Sequence, residues 1–392
     1  MTTEELFLQS VAAYLKSQSL SITTEEEIHW HALMTLSQEQ KLLPAVFEVL
    51  HDSMPESIAM EYRPVAVLQV ARQTAHTAEF MQVYNQLRHH GFEPLVVKGI
   101  VARTTYDRPD FRVSADEDIY LSKSEYLRFH QTMQALGFSC HEKPDMENAH
   151  EERYLRHDFL IEGHWELFPQ ENDALNSLND YTDGFLARAQ WLSLKSGQLK
   201  TLAPTDHMIF LLLHAFKHFI SSGFGIRQIC DIAQWSKCYD IQWADVSDSL
   251  KRVHAEVFAS AIIGIGEQYF DMVFPECFSR VDFKPLLQDI LSSGIYGTNS
   301  MNRKHSSTIT LGAVESKHTN KTGIPLFPSL FPNRSVMEMN FPWLKEYPLL
   351  LPISWCIRIL RYMINRDTGN SASETIRIGN ERKRLLEYYK II

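Results

Sequence analysis

The sequence lacks the cysteine pattern of a disulfide-bonded or zinc-binding protein. Its five cysteines are widely spaced and odd in number, and no C-x-x-C pair occurs. Isolated thiols of this kind are typical of a reducing compartment. We therefore expect a cytoplasmic protein whose cysteines are reduced and mostly buried.

Basic charge and long apolar runs are also scarce. Acidic residues outnumber Lys and Arg by 48 to 38, which gives a formal net charge of −10. This excess disfavours non-specific binding to nucleic acid, which needs a basic surface. No apolar run is long enough to span a bilayer, and the acidic N-terminal stretch lacks the features of a signal peptide. We therefore expect neither a nucleic-acid partner nor a membrane partner.

Length and composition are those of a large folded protein. The chain has 392 residues, 44% of them hydrophobic, enough for a sizeable core and for more than one domain. Helical periodicity over residues 1–74 and 201–298 flanks residues 75–200, where strands and helices alternate. Residues 299–392 combine a polar loop with a C-terminal helical segment. The order predicts an α+β fold, a short mixed sheet with helices, flanked by helical segments on both sides.

Three carboxylates, Asp116, Glu117 and Asp118, stand at the start of the predicted strand "DEDIYLS". Acidic residues are poor strand formers and close like charges repel, so the cluster is either a solvated turn or a cation site. Because alternate residues of a strand share a face, Asp116 and Asp118 point the same way and Glu117 points the other way. Glu162, in the apolar segment "FLIEGHWEL", is the candidate third ligand, with Glu166 in reserve. Oxygen ligands of this kind suit Mg²⁺ or Mn²⁺.

An ordered set of motifs resembles a known family. The segment "PLVVKGIVARTTYDRPDFRVSADEDIYLS" contains an apolar strand ending in Lys-Gly, a helix, a Tyr-x-x-Pro loop and Arg-x-x-x-Asp-x-Asp before a second strand. "FLIEGHWEL", "LAPTDHMIFLLLHAFKHF" and "IRQICDIAQW" match later segments of the same family. The sequence therefore resembles, over nearly its full length, uncharacterised bacterial nucleotidyltransferase-like proteins with the polymerase-β-type nucleotidyltransferase fold.

The resemblance implies a chemistry. Such an enzyme transfers a nucleoside monophosphate from an NTP, with ATP as the expected one, to a hydroxyl acceptor. Asp116, Asp118 and Glu162 would be the catalytic residues and the ligands of Mg²⁺ or Mn²⁺. The acceptor stays open among a sugar, a small molecule, a peptide and a protein, and the oligomeric state stays open as well.

Basic residues near the carboxylates are expected to bind the phosphates. Lys98 and Gly99 stand where better-known nucleotidyltransferases have a Gly-Ser turn, and a Lys at a glycine turn that opens a helix favours an anion. Arg112 is predicted to clamp a phosphate through its bidentate guanidinium. The alternative for Arg112 is an ion pair with Asp110 or Glu117.

A helix in the second half supplies further candidates. His214, Lys217 and His218 lie on or beside one helix face in "LHAFKHF". Because related antibiotic nucleotidyltransferases place a helical domain opposite the carboxylates, the resemblance implies that Lys217 binds phosphate and that His214 or His218 orients it. The alternative is a pair of structural histidines. His164, on the same strand face as Glu162, is expected to orient a metal ligand or to act as a general base.

The main alternative to an enzyme is a non-catalytic module that keeps the fold and binds a nucleotide or a protein partner. The missing Gly-Ser turn and the charged Glu117 favour this module, whereas three acidic positions favour the enzyme. On the core-facing side of its strand, Glu117 needs either a neighbouring Arg or Lys or an exposed strand start. Arg227 and Asp231, four residues apart, predict a salt bridge within one helix.

Overall fold

The computed structural model describes most of the chain. It covers residues 1–293 except 21, 23–27, 148, 171, 172, 183 and 222, together with 310–314, 334, 337, 341–364 and 372–392. Most of the predicted polar loop between residues 300 and 340 therefore lies outside the described residues.

Helices precede the sheet, as the periodicity predicts. They are α1 (Thr3–Leu15), α2 (Trp30–Glu39), α3 (Leu43–Leu50) and α4 (Glu56–His89). Helix α1 begins with a capping box, in which the side chains of Thr2 and Glu5 each accept the other residue's backbone N–H. Helix α4 runs without a break through residues 74 and 75, so the predicted boundary at this point falls inside one helix. The division of the chain into domains stays a prediction.

A six-stranded mixed sheet follows, with the strand order β3-β4-β2-β1-β6-β5. Its strands are β1 (Leu95–Val97), β2 (Asp116–Tyr120), β3 (Glu151–Arg156), β4 (Phe159–His164), β5 (Gln190–Leu194) and β6 (Gly197–Thr201). Strand β2 pairs antiparallel with β1 and parallel with β4, and β1 also pairs parallel with β6. This sheet and its flanking helices confirm the predicted α+β fold class.

Short helices connect the strands, and a helical half follows them. The helices between the strands are α5 (Gly99–Arg103), α6 (Lys123–Ala135), α7 (Asp173–Asn176) and α8 (Phe185–Arg188). The helices that follow the sheet are α9 (Pro204–Ser221), α10 (Ile226–Cys238), α11 (Trp243–Arg252), α12 (Glu256–Phe270), α13 (Lys284–Ser293), α14 (Leu351–Ile364) and α15 (Ala372–Tyr388). One continuous hydrophobic cluster extends from Leu6 in α1 to Leu386 in α15 and includes the whole of β1. Over the described part of the chain, no helix is both long and apolar enough to cross a membrane.

The cysteines differ from expectation in their burial. None of the five is in a disulfide. Cys230 is buried, but Cys238, Cys277 and Cys356 are exposed, so the prediction of mostly buried thiols is wrong. Cys238 ends α10, Cys277 lies in the turn between α12 and α13, and Cys356 lies on the surface of α14. Sequence periodicity gives no sharp boundary between core and solvent at such positions.

The turn from β1 into α5 is built around the buried carboxylate of Glu117. Arg103 in α5 forms a buried ion pair with Glu117. Oε2 of Glu117 also accepts a 2.7 Å hydrogen bond from the backbone N–H of Ile100. Nη1 of Arg103 donates to Oγ of Ser114 at 2.7 Å. The charge of Glu117 is thus neutralised by a neighbouring arginine, the first of the two alternatives that the sequence left open.

Gly99 makes this close approach possible. Its φ is +33°, and a Cβ atom at this position would lie 2.1 Å from Oε2 of Glu117. Any larger residue would displace the carboxylate from both Arg103 and Ile100. The glycine after Lys98 is therefore explained by the carboxylate that packs against it.

We expect Gly99→Ala to lower the free energy of unfolding by about 2–5 kcal/mol, because a left-handed backbone and an overpacked site act together. Urea denaturation measures the change. The matched control is Gly137→Ala, which has a φ of +83° but no atom within 4 Å of the added Cβ. We expect it to cost only about 1–2 kcal/mol. Equal losses in the two variants would contradict the role given to Glu117.

Candidate active site

Strands β2 and β4 bring the predicted metal ligands together. In their parallel pairing Asp118 is the register partner of Glu162, and Tyr120 is the partner of His164. Asp118, Glu162 and His164 each offer one ligand atom, and these atoms all lie within 4.8 Å of one another. The sheet thus places Glu162, the candidate third ligand from the sequence analysis, directly beside Asp118.

Asp116 lines the same cavity as Asp118 and Glu162. Burial, followed by the charge of Asp118, raises the pKa of Asp116 above its ordinary value. Burial, followed by the carboxylates of Asp118, Glu151 and Asp116, raises the pKa of Glu162 to about 7. Burial and the mutual repulsion of the carboxylates thus both favour the protonated forms of Asp116 and Glu162.

Asp118 itself has two basic partners. Nζ of Lys98 lies 2.6 Å from Oδ1 of Asp118, and Nε2 of His164 lies 3.0 Å from the same oxygen. Although burial by itself raises the pKa of Asp118, Lys98 and then His164 lower it below the ordinary value. Lys98 has a φ of 54° and a ψ of −136°, a backbone conformation that costs a non-glycine residue about 1–3 kcal/mol.

Helix α9 forms the opposite wall of the cavity with His214, Lys217 and His218. Nε2 of His214 lies 3.0 Å from Nζ of Lys98 and 3.0 Å from Nε2 of His218. Burial, followed by the charges of Lys98 and Lys217, lowers the pKa of both histidines well below the ordinary value. Burial also lowers the pKa of Lys217. The two imidazoles are therefore neutral at physiological pH.

The cavity between these walls has a volume of about 430 Å³. Small-molecule sites typically measure about 300–1,000 Å³. Carboxylates on the sheet wall and lysines near them can hold a divalent cation together with an anionic ligand. The arrangement suits a phosphorylated substrate better than an apolar one.

Comparison with known proteins identifies the family. Residues 26–271, more than half of the chain, match the family described as uncharacterised nucleotidyltransferase. The chain belongs to this nucleotidyltransferase family. A search of the curated proteins and a search of the solved structures each found no match. The matched residues include the sheet, the carboxylates and α9, so the resemblance stated from the motifs is confirmed over residues 26–271. Membership supports a general role in nucleotidyl transfer.

Arg112 forms a buried ion pair instead of facing the 430 Å³ cavity. Its Nε and Nη2 lie 3.0 Å and 2.6 Å from Oδ1 and Oδ2 of Asp231. Tyr106 donates its hydroxyl to the same carboxylate at 2.8 Å. Because Asp231 occupies the guanidinium fork, the predicted phosphate clamp is corrected to a structural pair. Its partner is neither Asp110 nor Glu117.

The predicted salt bridge between Arg227 and Asp231 is replaced by other contacts. Asp231 is bound by Arg112, while Nη1 of Arg227 donates to the backbone carbonyl of Val113 at 2.7 Å. Both contacts join α10 to the loop that precedes β2. Helical spacing predicted a contact within α10, but the hydrogen bonds of these buried groups go to longer-range partners.

The anion site predicted at Lys98 and Gly99 is also corrected. The backbone N–H of Ile100 is taken by Glu117, so an internal carboxylate occupies the start of α5. Gly99 lines a side cavity of about 30 Å³, not the 430 Å³ cavity, whereas Lys98 lines both. The side chain of Lys98 remains the candidate phosphate ligand of this turn.

Sequence reasoning missed Glu151 and its neighbour His150. Glu151 lines the cavity, and its Oε2 lies 3.4 Å from Nδ1 of His164. The signal was weak, because Glu151 begins a strand of the sequence "EERYLR", whose charges conceal its alternation. The reserve ligand Glu166 instead pairs with Lys123 at 2.6 Å.

We expect Arg112→Met to lower the free energy of unfolding by about 3–5 kcal/mol, because it leaves the buried Asp231 without its partner. Equilibrium denaturation and NTP binding by the folded fraction would both be measured. Arg72→Met is the matched control, since its 3.0 Å pair with Asp158 is exposed and should contribute at most about 1 kcal/mol. If the Arg112 variant were fully stable but bound NTP poorly, the result would support the original prediction that Arg112 binds a phosphate.

Proposed function

We propose that this protein moves a nucleoside monophosphate from an NTP, with ATP as the expected donor, to a hydroxyl acceptor in a reaction that depends on Mg²⁺ or Mn²⁺. The observation that supports this most directly is the register pairing of Asp118 with Glu162. Together with Asp116 they give one cavity three carboxylates. The acceptor is a sugar, a small molecule, a peptide or a protein.

The donor set fits a hard divalent cation. Asp116, Asp118 and Glu162 would hold it through carboxylate oxygens, the ligands that Mg²⁺ prefers. The raised pKa values of Asp116 and Glu162, caused first by burial and then by neighbouring carboxylates, indicate that added positive charge stabilises the ionised site. When bound, such an ion neutralises phosphate charge and makes the acceptor hydroxyl more acidic.

Residues of this chain account for the remaining tasks. Lys98, whose Nζ lies 2.6 Å from Oδ1 of Asp118, is suited to bind a phosphate oxygen when the nucleotide enters. Lys217 lines the same cavity from α9 and gives the phosphates a second cation. The neutral imidazoles of His214 and His218 can hold a phosphate oxygen by hydrogen bonds without adding charge.

The proposed reaction is a displacement at the α-phosphorus. The acceptor oxygen forms a new bond to this phosphorus while the bond to the bridging oxygen breaks, and pyrophosphate leaves with the electron pair. A proton must leave the acceptor hydroxyl. Glu162, which lines the cavity beside Asp118, is suited to accept it.

The alternative function is a nucleotide-binding module without transfer activity. Two observations favour it: Lys98 already forms an ion pair with Asp118, and Glu117 occupies the helix start that an anion would use. In such a module Lys98 would replace the metal ion as the counter-charge of Asp118. NTP binding would then be independent of divalent metal.

Isothermal titration with each NTP, with and without Mg²⁺, separates the two functions. We expect metal-dependent binding of one NTP, and Asp116→Asn should weaken both this binding and that of Mn²⁺ roughly 10- to 100-fold, which corresponds to about 1.5–3 kcal/mol. Glu166→Gln is the control, because this acid pairs with Lys123. Unchanged Mn²⁺ affinity in the Asp116 variant, or NTP binding that ignores Mg²⁺, would refute the proposal.

Lys98→Met should change metal and nucleotide affinity in opposite directions. Without nucleotide, Mn²⁺ should bind more tightly, because no ammonium competes for Asp118 or repels the ion. With Mg²⁺ present, NTP should bind about 10- to 100-fold more weakly, because a charge-assisted phosphate contact is lost. Lys123→Met serves as the control. A change of the same sign in both affinities would contradict the double role of Lys98.

A further inference from the structure

A second cluster of metal-ligating side chains lies beside the proposed nucleotide site. Glu151 begins β3 and is the register partner of His164 at the end of β4, and His150 directly precedes Glu151. The backbone carbonyl of His150 accepts the N–H groups of Trp165 and Glu166 at 3.1 Å and 3.3 Å. His150 is therefore held at the end of the sheet.

Two of the three distances between ligand atoms in this cluster are close to those around a tetrahedral ion. Nε2 of His150 lies 3.2 Å from Oε2 of Glu151, and Nδ1 of His164 lies 3.4 Å from the same oxygen. All three atoms lie within 4.8 Å of one another. With zinc–ligand distances of about 2.0–2.2 Å, a tetrahedral ion separates its ligand atoms by about 3.3–3.6 Å.

Within the part of the chain that the structure describes, the two imidazole nitrogens that face Glu151 lack hydrogen bonds of good geometry. Nε2 of His150 and Nδ1 of His164 are buried and, among the described residues, have no hydrogen-bond partner of acceptable geometry. Nε2 of His164 faces Asp118 at 3.0 Å and carries the proton of that contact. In a neutral ring this leaves a lone pair on Nδ1, directed at an oxygen of Glu151. Two acceptors facing each other at this distance require a proton or a metal cation between them.

The contact between His164 and Asp118 also has the form that metal-binding histidines use. A ligating histidine almost always donates its other ring N–H to a carboxylate or carbonyl, which fixes the tautomer and the ring orientation. Asp118 supplies this carboxylate. The side chain that binds one metal ion in the proposed reaction would thus orient a ligand of a second.

We propose that His150, Glu151 and His164 bind a transition-metal cation of the zinc class, at a site separate from the Asp116, Asp118 and Glu162 carboxylates. Imidazole nitrogens favour Zn²⁺ and related ions over Mg²⁺. Three protein ligands leave the fourth position of a tetrahedral ion for water or substrate. Glu151 and His164 line the 430 Å³ cavity, so the proposed ion would lie at its edge.

The test is a titration of the metal-free full-length protein with Zn²⁺ in competition with a chromophoric chelator, repeated with Co²⁺ to record its visible absorption. The wild type should bind one Zn²⁺ that His150→Gln and Glu151→Gln weaken more than about 100-fold, a larger loss than that of an outer-shell partner. His141→Gln is the matched control, since its 3.0 Å contact with Glu152 forms a histidine–carboxylate pair without a third ligand.

Asp116→Asn separates this proposal from the proposed function. It should weaken Mn²⁺ binding but leave the tight Zn²⁺ site intact. Thermal denaturation without metal should give His150→Gln the melting temperature of the wild type, and added Zn²⁺ should stabilise only the wild type. The proposal is overturned if the wild type binds no Zn²⁺, if His150→Gln binds it equally well, or if Asp116→Asn abolishes it. In the first case a proton on His164 occupies the place given to the metal.

Discussion

The ion pair between Glu117 and Arg103 is the interaction on which the site depends. Glu117 lies in the middle of a buried strand, between the two aspartates that face the cavity. An unpaired carboxylate there would cost several kcal/mol. Arg103 and the backbone N–H of Ile100 remove this cost, and in doing so they set the turn at Lys98 and Gly99. The buried face of β2 therefore fixes the position of the lysine that meets Asp118 on the other face.

A second buried pair joins the helical half to the sheet. Arg112 precedes β2 and Asp231 lies in α10, so this contact positions the helices that pack beside α9. The short segment 112–118 therefore has three roles. Arg112 anchors the helical half, Glu117 holds the turn that leads from β1 into α5, and Asp116 and Asp118 face the cavity. Substitutions in this segment will therefore affect both folding and ligand binding. The two effects can be separated only if stability and binding are both measured.

The sequence predicted those parts of the fold whose signal is local. Strand β1 is apolar and β4 begins with an apolar run, and period-two alternation correctly assigned Asp116 and Asp118 of β2 to one face. The hairpin β5–β6 was missed, because "QWLSLKSGQLKT" is short and polar and lies at the edge of the sheet. The partner of Arg112 could not be predicted either, since Asp231 is 119 residues away. Sequence periodicity indicates which face of a strand or helix is buried. The ion-pair partner of a buried charge depends instead on the tertiary fold. For the same reason Glu151 was overlooked: only its register with His164 brings it to the cavity.

The backbone of Lys98 has a consequence for how this position can vary. Its φ of 54° belongs to a region that glycine occupies freely and other residues occupy at a cost of about 1–3 kcal/mol. Glycine would therefore be the more stable residue here, yet it has no ammonium group. The ammonium group beside Asp118 is therefore carried on a strained backbone, so backbone stability and the charge of the cavity favour different residues at this one position.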